Sequence, residues 1–122
     1  MIGYVTVGTN DMAKAAAFYD ELLGELGAKR LMDFESFIVW GENMQVTSFS
    51  IIKPFDGGPA TVGNGVMVAL AVSKPEQVQS MHAKALALGG KDEGAPGPRS
   101  DNFYAAYFRD LDGNKLNVFC MT

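Results

Sequence analysis

Apolar and polar residues recur along the chain with two different periods, which predict helices and strands respectively. Two runs have helical spacing, Met12 to Leu26 and Pro75 to Leu88. Their apolar stripes consist of Ala15, Phe18, Tyr19, Leu22, Leu23 and Leu26 in the first run and Val78, Met81, His82, Ala85 and Leu88 in the second. Asp11 can cap the first run, and a proline suits the first turn of the second. The pattern therefore predicts two amphipathic helices.

Short segments rich in strand-forming residues surround each helix. In the first half they are Ile2 to Val7, Lys29 to Phe34, Phe37 to Gly41 and Gln45 to Ile52. In the second half they are Val66 to Val72, a weak segment after Lys91, Tyr104 to Arg109 and Lys115 to Cys120. Asp110 to Asn114 predicts a hairpin turn before the last strand. Glycines and prolines in Pro54 to Gly65 predict a loop between the halves.

The same order of elements, a strand, a helix and three strands, therefore occurs in residues 1–62 and again in residues 63–122. Alignment of the two helix starts sets Tyr4 opposite Met67. Such a repeat predicts an α+β fold with two βαβββ units, each packing a helix on one face of the sheet. We expect residues 1–122 to form a single domain whose curved mixed sheet encloses a cleft on its other face.

Strand alternation divides the side chains between the core and this cleft. The predicted core includes Phe18, Leu22, Val68, Leu70 and Leu116. The predicted cleft lining consists of Tyr4, Trp40, Phe49, Met67, Asn117 and Phe119. Apolar walls with a few polar groups are typical of a small-molecule pocket, although cores use the same residue types and the aromatic side chains could simply fill the cleft.

Three further side chains are candidate ligand contacts. Arg99 lies in a stretch rich in proline and glycine, which predicts a loop at the cleft rim. Its guanidinium could hold a carboxylate or phosphate through two hydrogen bonds, and an exposed, solvated arginine is the alternative. Tyr104 and Tyr107 could offer hydroxyl groups to a ligand, or could be packed strand tyrosines with solvated tips.

Composition narrows the class of protein. The formal net charge is −4 and no cluster of Lys or Arg stands out, so a nucleic-acid partner is not expected. No run approaches the ~18 apolar residues of a membrane span, and the N-terminus does not resemble a signal peptide. The single cysteine, Cys120, excludes an internal disulfide and favours a reducing compartment. We therefore expect a soluble, cytoplasmic protein with no membrane partner.

Four stretches resemble the vicinal oxygen chelate superfamily, which includes glyoxalase I, bleomycin- and fosfomycin-resistance proteins and extradiol dioxygenases. These stretches are Gly3 to Asp11 with the helix that follows it, Gly63 to Leu70, Gly89 to Arg99 and Tyr104 to Leu116. Together they span nearly the whole chain in the order found in that superfamily. The resemblance implies a glyoxalase-like fold with a ligand-binding cleft.

The resemblance also implies where metal ligands would lie. Metal-using members carry a His or similar ligand in the first strand of each half and a Glu in the last. The corresponding positions here are Tyr4, Met67, Asn117 and a place near Ser50 to Ile52, none of which is His or Glu. The only histidine, His82, lies on a helix stripe. We therefore expect a divergent member with no metal and no cofactor.

Two functions remain open. The first is a binding protein that holds a small organic molecule in its cleft without a metal ion. The alternative is a divergent lyase, isomerase or dioxygenase-like enzyme in which Tyr4 acts as acid or base and Asn117 as a polar anchor. Binding is favoured because no metal ligand is present to acidify a substrate or activate oxygen.

A homodimer is expected as well. Chains of the resembled superfamily usually associate in pairs. The seven methionines and eight phenylalanines of this sequence are also numerous for its length, and such residues are enriched at two-fold interfaces. A monomer that buries all of them internally is the alternative.

Overall fold

The computed structural model describes all residues, Met1–Thr122, and contains eight strands and two helices. In chain order they are β1 (Tyr4–Gly8), α1 (Met12–Gly24), β2 (Lys29–Asp33), β3 (Phe37–Gly41), β4 (Ser48–Ile52), β5 (Val68–Ala71), α2 (Pro75–Ala87), β6 (Lys91–Ser100), β7 (Phe103–Arg109) and β8 (Lys115–Met121). This order confirms the α+β fold with two βαβββ repeats. The chain divides into two compact units, Met1–Val62 and Gly63–Thr122. Neither helix has the length and apolar character needed to span a membrane.

The N-terminal unit contains one four-stranded mixed sheet in the order β1-β4-β3-β2. Strand β1 is parallel to β4, and the other pairs are antiparallel. Helix α1 begins after Asp11, whose carboxylate accepts a hydrogen bond from the Lys14 amide at 3.1 Å. Gly27 turns the chain from the helix toward β2 in the left-handed region, with a φ of 77°. The buried side of α1 includes Phe18, Tyr19 and Leu22, which therefore form its packing surface against the sheet.

The C-terminal unit repeats this plan, with strand order β5-β8-β7-β6 and β5 parallel to β8. Val78, Met81 and Ala85 of α2 are buried. Helix α2 is also tied to the sheet through polar groups: Gln79 Nε2 donates to the Tyr104 hydroxyl at 2.9 Å. The side of the sheet that carries Tyr104 is therefore the side covered by the helix.

The predicted core is confirmed in part. Phe18, Leu22 and Leu116 are buried, as predicted. Val68 and Leu70, by contrast, are only half-buried. Both lie on β5, which pairs with β8 alone and leaves its other edge uncovered. The prediction that Val68 and Leu70 are nearly inaccessible to solvent is wrong, because an edge strand lacks a neighbour on one side.

Strand β6 differs from the prediction of a weak strand followed by a loop. It runs from Lys91 to Ser100 along β7 and includes Pro96, Pro98 and Arg99. Three register shifts interrupt the pairing. Proline is tolerated here because β6 is an edge strand with bulges, where a missing N–H disrupts no inner ladder. Arg99 therefore lies on a strand paired with β7 and not in the loop that the sequence predicted.

Candidate functional site

In each unit, one face of the sheet packs on the helix and the other does not, and we call the latter the helix-free face. In the N-terminal unit this face carries Tyr4 and Thr6 of β1. The register places Thr6 beside Ser50 and Ser50 beside Val39. Tyr4 is 61% exposed, and its ring meets that of Phe37 edge-on at 6.2 Å between centroids. Strands β1, β3 and β4 contain no charged residue, so the centre of this face is neutral.

Two hydroxyl groups at the centre of this face, those of Thr6 and Ser50, are bonded to each other. Ser50 Oγ donates to the Val5 carbonyl at 2.8 Å and lies 2.7 Å from Thr6 Oγ1. A hydroxyl has one hydrogen to donate, so Thr6 must be the donor to Ser50. The side chain of Ser50 is fully buried. These hydroxyl groups therefore serve mainly to hold β1 against β4.

Trp40 and Phe49 lie on the opposite, helix-covered face. They are 1% and 6% exposed, and both rings contact Tyr19 of α1, with centroid distances of 5.9 Å and 4.6 Å. The pairing of β1 with β4 sets Phe49 beside Val5, which points to the helix side. The prediction that Trp40 and Phe49 line a cleft away from the helices is wrong, because the strand register sets both side chains on the helix-covered face. The sequence does not reveal this register.

A carboxylate on α1 fixes Trp40 in that position. Asp20 accepts hydrogen bonds from Trp40 Nε1 at 2.9 Å and from Arg30 Nε and Nη2 at 2.9 Å and 2.7 Å. The Arg30 guanidinium holds the pKa of Asp20 below its ordinary value, aided by the Trp40 hydrogen bond and opposed by partial burial. The guanidinium carbon also lies 5.9 Å from the Trp40 ring centroid. This cluster ties α1 to β2 and β3 and is structural.

The helix-free face of the C-terminal sheet has a different chemistry. At its centre Tyr107 of β7 and Asn117 of β8 form a directly opposed cross-strand pair. Asn117 is 2% exposed, and its Nδ2 donates to the Ala106 carbonyl at 3.2 Å and more weakly to the Val118 carbonyl at 3.4 Å. Both partners are acceptors, so the amide nitrogen must face them. The amide oxygen, Oδ1, accepts no hydrogen bond from the protein.

Two cationic side chains lie over the same tyrosine ring. The guanidinium carbon of Arg99 is 5.4 Å from the centroid of Tyr107, and Lys115 Nζ is 5.5 Å from it. Both distances are typical of cation–π contacts. Arg99 donates from Nη1 to the Gly97 carbonyl at 2.8 Å and from Nη2 to the Ala95 carbonyl at 2.7 Å. These bonds hold the guanidinium in one orientation.

Sequence reasoning missed Lys115, and it left the role of Tyr107 open. Lys115 lies two residues before Asn117 on β8, and strand alternation alone was enough to place both on one face. The meeting of Arg99, Tyr107 and Lys115 depends on the β6–β7–β8 pairing, for which the sequence offers no signal. Tyr104, by contrast, faces the helix, where its hydroxyl accepts the Gln79 hydrogen bond.

A further ion pair lies toward one end of this face. Arg109 Nε donates to Glu93 Oε1 at 2.6 Å. This hydrogen bond holds the pKa of Glu93 below its ordinary value. Arg109 is paired directly with Lys115 across β7 and β8. The nearby carboxylate is therefore already engaged by Arg109, whereas Arg99 has no carboxylate partner.

The remaining candidates are distributed over both units. Phe119 lies on the C-terminal helix-free face, where its ring stacks on Phe103 with 5.3 Å between centroids. Met67 precedes β5 and is exposed. The structure thus brings Arg99, Asn117 and Phe119 to one sheet face, whereas Tyr4 lies on the helix-free face of the other unit.

The positions that the resemblance assigns to metal ligands carry unsuitable donors. The register pairs Thr6 with Ser50 and Ala69 with Asn117, so Ser50 occupies in the first repeat the place of Asn117 in the second. Together with Tyr4 and Met67 these positions offer a phenol, a hydroxyl, a thioether and an amide. No group of three or more His, Cys, Asp or Glu side chains capable of holding a metal ion is present. This donor set does not fit a divalent transition metal.

Comparison with known proteins agrees with the fold. A model of the Glyoxalase/Bleomycin resistance protein/Dioxygenase superfamily matches residues 1–118. A search of curated proteins finds no match. Among solved structures, a glyoxalase/bleomycin resistance protein from Albidiferax ferrireducens T118 is 39% identical, with a TM-score of 0.91. The similarity covers 100% of this chain and 99% of that one.

More distant structures share the fold alone. A lactoylglutathione lyase from Agrobacterium tumefaciens is 18% identical over 98% of this chain and 92% of its own, with a TM-score of 0.72. A genomically encoded fosfomycin resistance protein, FosX, from Listeria monocytogenes is 16% identical over 100% of this chain and 93% of its own, with a TM-score of 0.75. From the family match and the repeated βαβββ fold, we conclude that this chain belongs to the glyoxalase/bleomycin resistance protein/dioxygenase superfamily.

Proposed function

We propose that this protein binds a small organic molecule without a metal ion, and that the binding surface includes the helix-free face of the C-terminal sheet. The observation that carries the proposal is the amide of Asn117. Its Nδ2 is bonded to main-chain carbonyls, whereas its Oδ1 accepts no hydrogen bond from the protein and is not sealed from solvent. The side chain lies opposite Tyr107 and on the same face as Phe119. Aromatic surface with a few oriented polar groups is the usual composition of a small-molecule site.

The absence of suitable metal donors supports binding over metal-assisted chemistry. A phenol, a thioether, a hydroxyl and an amide neither hold a divalent ion well nor replace the His and Glu set of metal-using relatives. The proposed ligand therefore contacts Asn117 and the aromatic side chains directly, with no metal in between.

A divergent enzyme that uses Tyr4 and Asn117 is less well supported. General acid–base catalysis needs a group whose proton can be passed to or from a positioned partner. The hydroxyl of Tyr4 forms no hydrogen bond with the protein, and the side chain is largely exposed. Asn117 cannot itself exchange a proton at neutral pH. Binding without catalysis requires no proton transfer from Tyr4 or Asn117 and is therefore the favoured function.

We also propose that the protein is a homodimer. Strands β1 and β5 each pair with a single neighbour, so each presents an unpaired edge. Large apolar side chains on or next to these strands are exposed, among them Ile2, Tyr4, Val66 and Met67. A second copy of the chain would cover such surface. Light scattering should give about twice the 13.1 kDa chain mass, whereas a mass near 13.1 kDa that does not change on concentration would contradict the dimer.

A reducing compartment, the cytoplasm, is the proposed location. The single cysteine, Cys120, is free and buried. A buried thiol of this kind acts as a small apolar side chain and needs no oxidising environment. Fractionation of cells that express the tagged protein would test the location.

The proposed binding is tested by a thermal-shift screen together with metal analysis. Purified protein should contain no stoichiometric transition metal, and a library of neutral and charged organic compounds should include some that raise the melting temperature, because a ligand of the native state stabilises it. Dialysis against a chelator should leave these shifts unchanged. Asn117→Ala should reduce them, whereas Asn64→Ala, which removes an exposed loop amide, should not.

Two results would count against the proposal. Shifts that disappear after chelation, or about one bound transition metal per chain, would refute binding without a metal. A native, folded protein that responds to no compound in the library would refute the binding function.

A further inference from the structure

We propose that the helix-free face of the C-terminal sheet selects organic acids. Arg99 and Lys115 bind the anionic group, and Oδ1 of Asn117 accepts a hydrogen bond from a hydroxyl or amine next to that group. This inference rests on the proposed binding function and specifies its ligand class, small aromatic acids with a neighbouring hydrogen-bond donor.

Arg99 differs from the other two arginines in its partners. Arg30 is bonded to the carboxylates of Asp20 and Asp33, and Arg109 to that of Glu93. Arg99 bonds only to the carbonyls of residues 95 and 97, so its charge is oriented but not neutralised. Those two bonds leave its other N–H groups free. A guanidinium held in this way needs little further ordering to bind a carboxylate through two hydrogen bonds.

Lys115 supplies a second positive charge near the same ring. It forms no salt bridge, although it contributes with Lys91 to the electrostatic stabilisation of Glu93. Cross-strand pairing sets Lys91 beside Arg109 and Arg109 beside Lys115. This face thus carries four basic side chains, Lys91, Arg99, Arg109 and Lys115, and one carboxylate bonded to a basic residue, Glu93 on Arg109. The face is therefore positive, although the whole chain has a net charge of −4.

Such an arrangement favours a bound anion on electrostatic grounds. Glu93 forms its salt bridge with Arg109, so neither Arg99 nor Lys115 has a carboxylate bonded to it. Like charges near one protein surface repel each other, and an anion between them would replace the repulsion by attraction. Both cations contact the ring of Tyr107, but an aromatic ring attracts a cation less strongly than a carboxylate does. A carboxylate is therefore the group that this part of the face would hold best.

Asn117 specifies what lies next to the anionic group. Its Nδ2 is engaged by main-chain carbonyls, so only the acceptor Oδ1 remains for a ligand. A ligand that covers Oδ1 must offer a donor there, because covering an acceptor without pairing it is unfavourable. Asn117 is directly opposite Tyr107, the residue that both cations contact. The stacked rings of Phe103 and Phe119 continue the same face and offer an apolar surface for an aromatic group.

Three probes of nearly equal size separate these contributions: mandelate, phenylacetate and 1-phenyl-1,2-ethanediol. Mandelate carries both a carboxylate and a neighbouring hydroxyl, phenylacetate lacks the hydroxyl, and the diol lacks the carboxylate. Titrations followed by two-dimensional NMR of the ¹⁵N-labelled full chain should show saturable binding of mandelate with shifts centred on residues 99, 107, 115 and 117. Phenylacetate and the diol should each bind about tenfold more weakly, the usual effect of losing one charged or buried hydrogen bond.

Charge-removing variants test the two cations. Arg99→Gln and Lys115→Gln should each weaken mandelate binding about tenfold, while binding of the neutral diol changes little. Lys14→Gln removes the same unit of charge from an exposed position on α1 and should leave both affinities unchanged. Added salt should weaken binding of mandelate to the unmodified protein and not binding of the diol, which tests the charge contribution without any substitution.

The outcomes distinguish this inference from the proposed function. If neutral compounds raise the melting temperature but the diol binds as tightly as mandelate, the protein binds small molecules and the selection of acids is refuted. Equal binding of mandelate and phenylacetate would overturn the role given to Asn117. If no probe binds and no library compound stabilises the protein, the proposed function fails as well.

Discussion

The helix-free faces of the two sheets are built on the same βαβββ plan and yet differ in chemistry. In the N-terminal unit, Thr6 and Ser50 satisfy each other, and the strands at the centre of the face carry no charge. In the C-terminal unit the equivalent of Ser50 is Asn117, whose amide oxygen accepts no hydrogen bond from the protein. Two cations without a salt-bridge partner lie over the neighbouring ring. A repeated backbone therefore fixes the positions that face away from the helix, and side-chain identity alone decides whether a position holds the sheet together or meets a ligand.

The two units differ on their helix-covered faces as well. Helix α1 packs an aromatic cluster of Tyr19, Trp40 and Phe49 against its sheet. Helix α2 places His82 at the corresponding position, where its Nε2 lies 3.0 Å from Asp92. Both units have a polar contact between helix and edge strand, Asp20 with Arg30 in the first and His82 with Asp92 in the second. They differ in the aromatic packing, which at this helix position only the N-terminal unit contains.

The largest expected effect tests that aromatic cluster. Trp40→Ala should lower the free energy of unfolding by about 3–5 kcal/mol, because it removes a buried ring and also leaves the Asp20 carboxylate without one of its donors. Urea denaturation followed by circular dichroism measures the change. Phe55→Ala, at a fully exposed ring, is the control and should change the value by less than about 0.5 kcal/mol. A small effect of Trp40→Ala would contradict the placement of Trp40 against α1.

The second prediction compares a central strand with an edge strand in the same sheet. Leu116→Ala should cost about 2–5 kcal/mol, because Leu116 of β8 is fully buried. Leu70→Ala should cost roughly half as much, because Leu70 of β5 is only half-buried and less apolar surface returns to water. Both values come from the same denaturation experiment. Equal losses at the two sites would show that β5 is covered in solution, as a dimer contact at this edge would produce.

The third prediction separates the two repeat-equivalent positions. Ser50→Ala should lower the free energy of unfolding by about 1 kcal/mol, the typical net value of a hydrogen bond, and leave mandelate binding unchanged. Asn117→Ala should weaken mandelate binding about tenfold. Calorimetric titration alongside denaturation measures both properties. Loss of binding in Ser50→Ala with no loss in Asn117→Ala would reverse the roles assigned to the two faces.

The smallest effect concerns pH. Bonding to Arg30 lowers the pKa of Asp20 in the folded protein below the value of 3.8 expected for a free aspartate. Between the two values the unfolded chain binds more protons, so Asp20 contributes stability above about pH 4 that is lost as the pH falls through its folded pKa. Asp20→Asn should therefore destabilise the protein at about pH 6 and reduce the decline in stability between about pH 5 and pH 3. Denaturation at several pH values tests this, and an identical decline in the variant would contradict it.

Much of the local structure followed from the sequence. Helices α1 and α2 were predicted with correct first residues, because Asp11 and Pro75 mark helix starts and the apolar stripe repeats with the helical period. Strand β3 was predicted with both ends correct, and the turn after Arg109 lies where the Asp110 to Asn114 signal placed it. These features depend on neighbours within a few residues, which the sequence displays directly. The repeated order of elements then predicted the fold class, and the resemblance of four stretches to the superfamily predicted the family.

What the sequence could not determine was decided by contacts between distant strands. Phe49 lies on the helix side because β4 pairs with β1 in a register that sets it beside Val5, and a slip of one residue would place it on the other face. The half-burial of Leu70 follows from the edge position of β5. Arg99 and Lys115 meet over Tyr107 only because β6, β7 and β8 are adjacent in the sheet. Local sequence determines that side chains alternate between the two faces of each strand. Which strands pair, and in what register, depends on the energy of the whole sheet. Only the tertiary structure therefore reveals which side chains from different strands share a face.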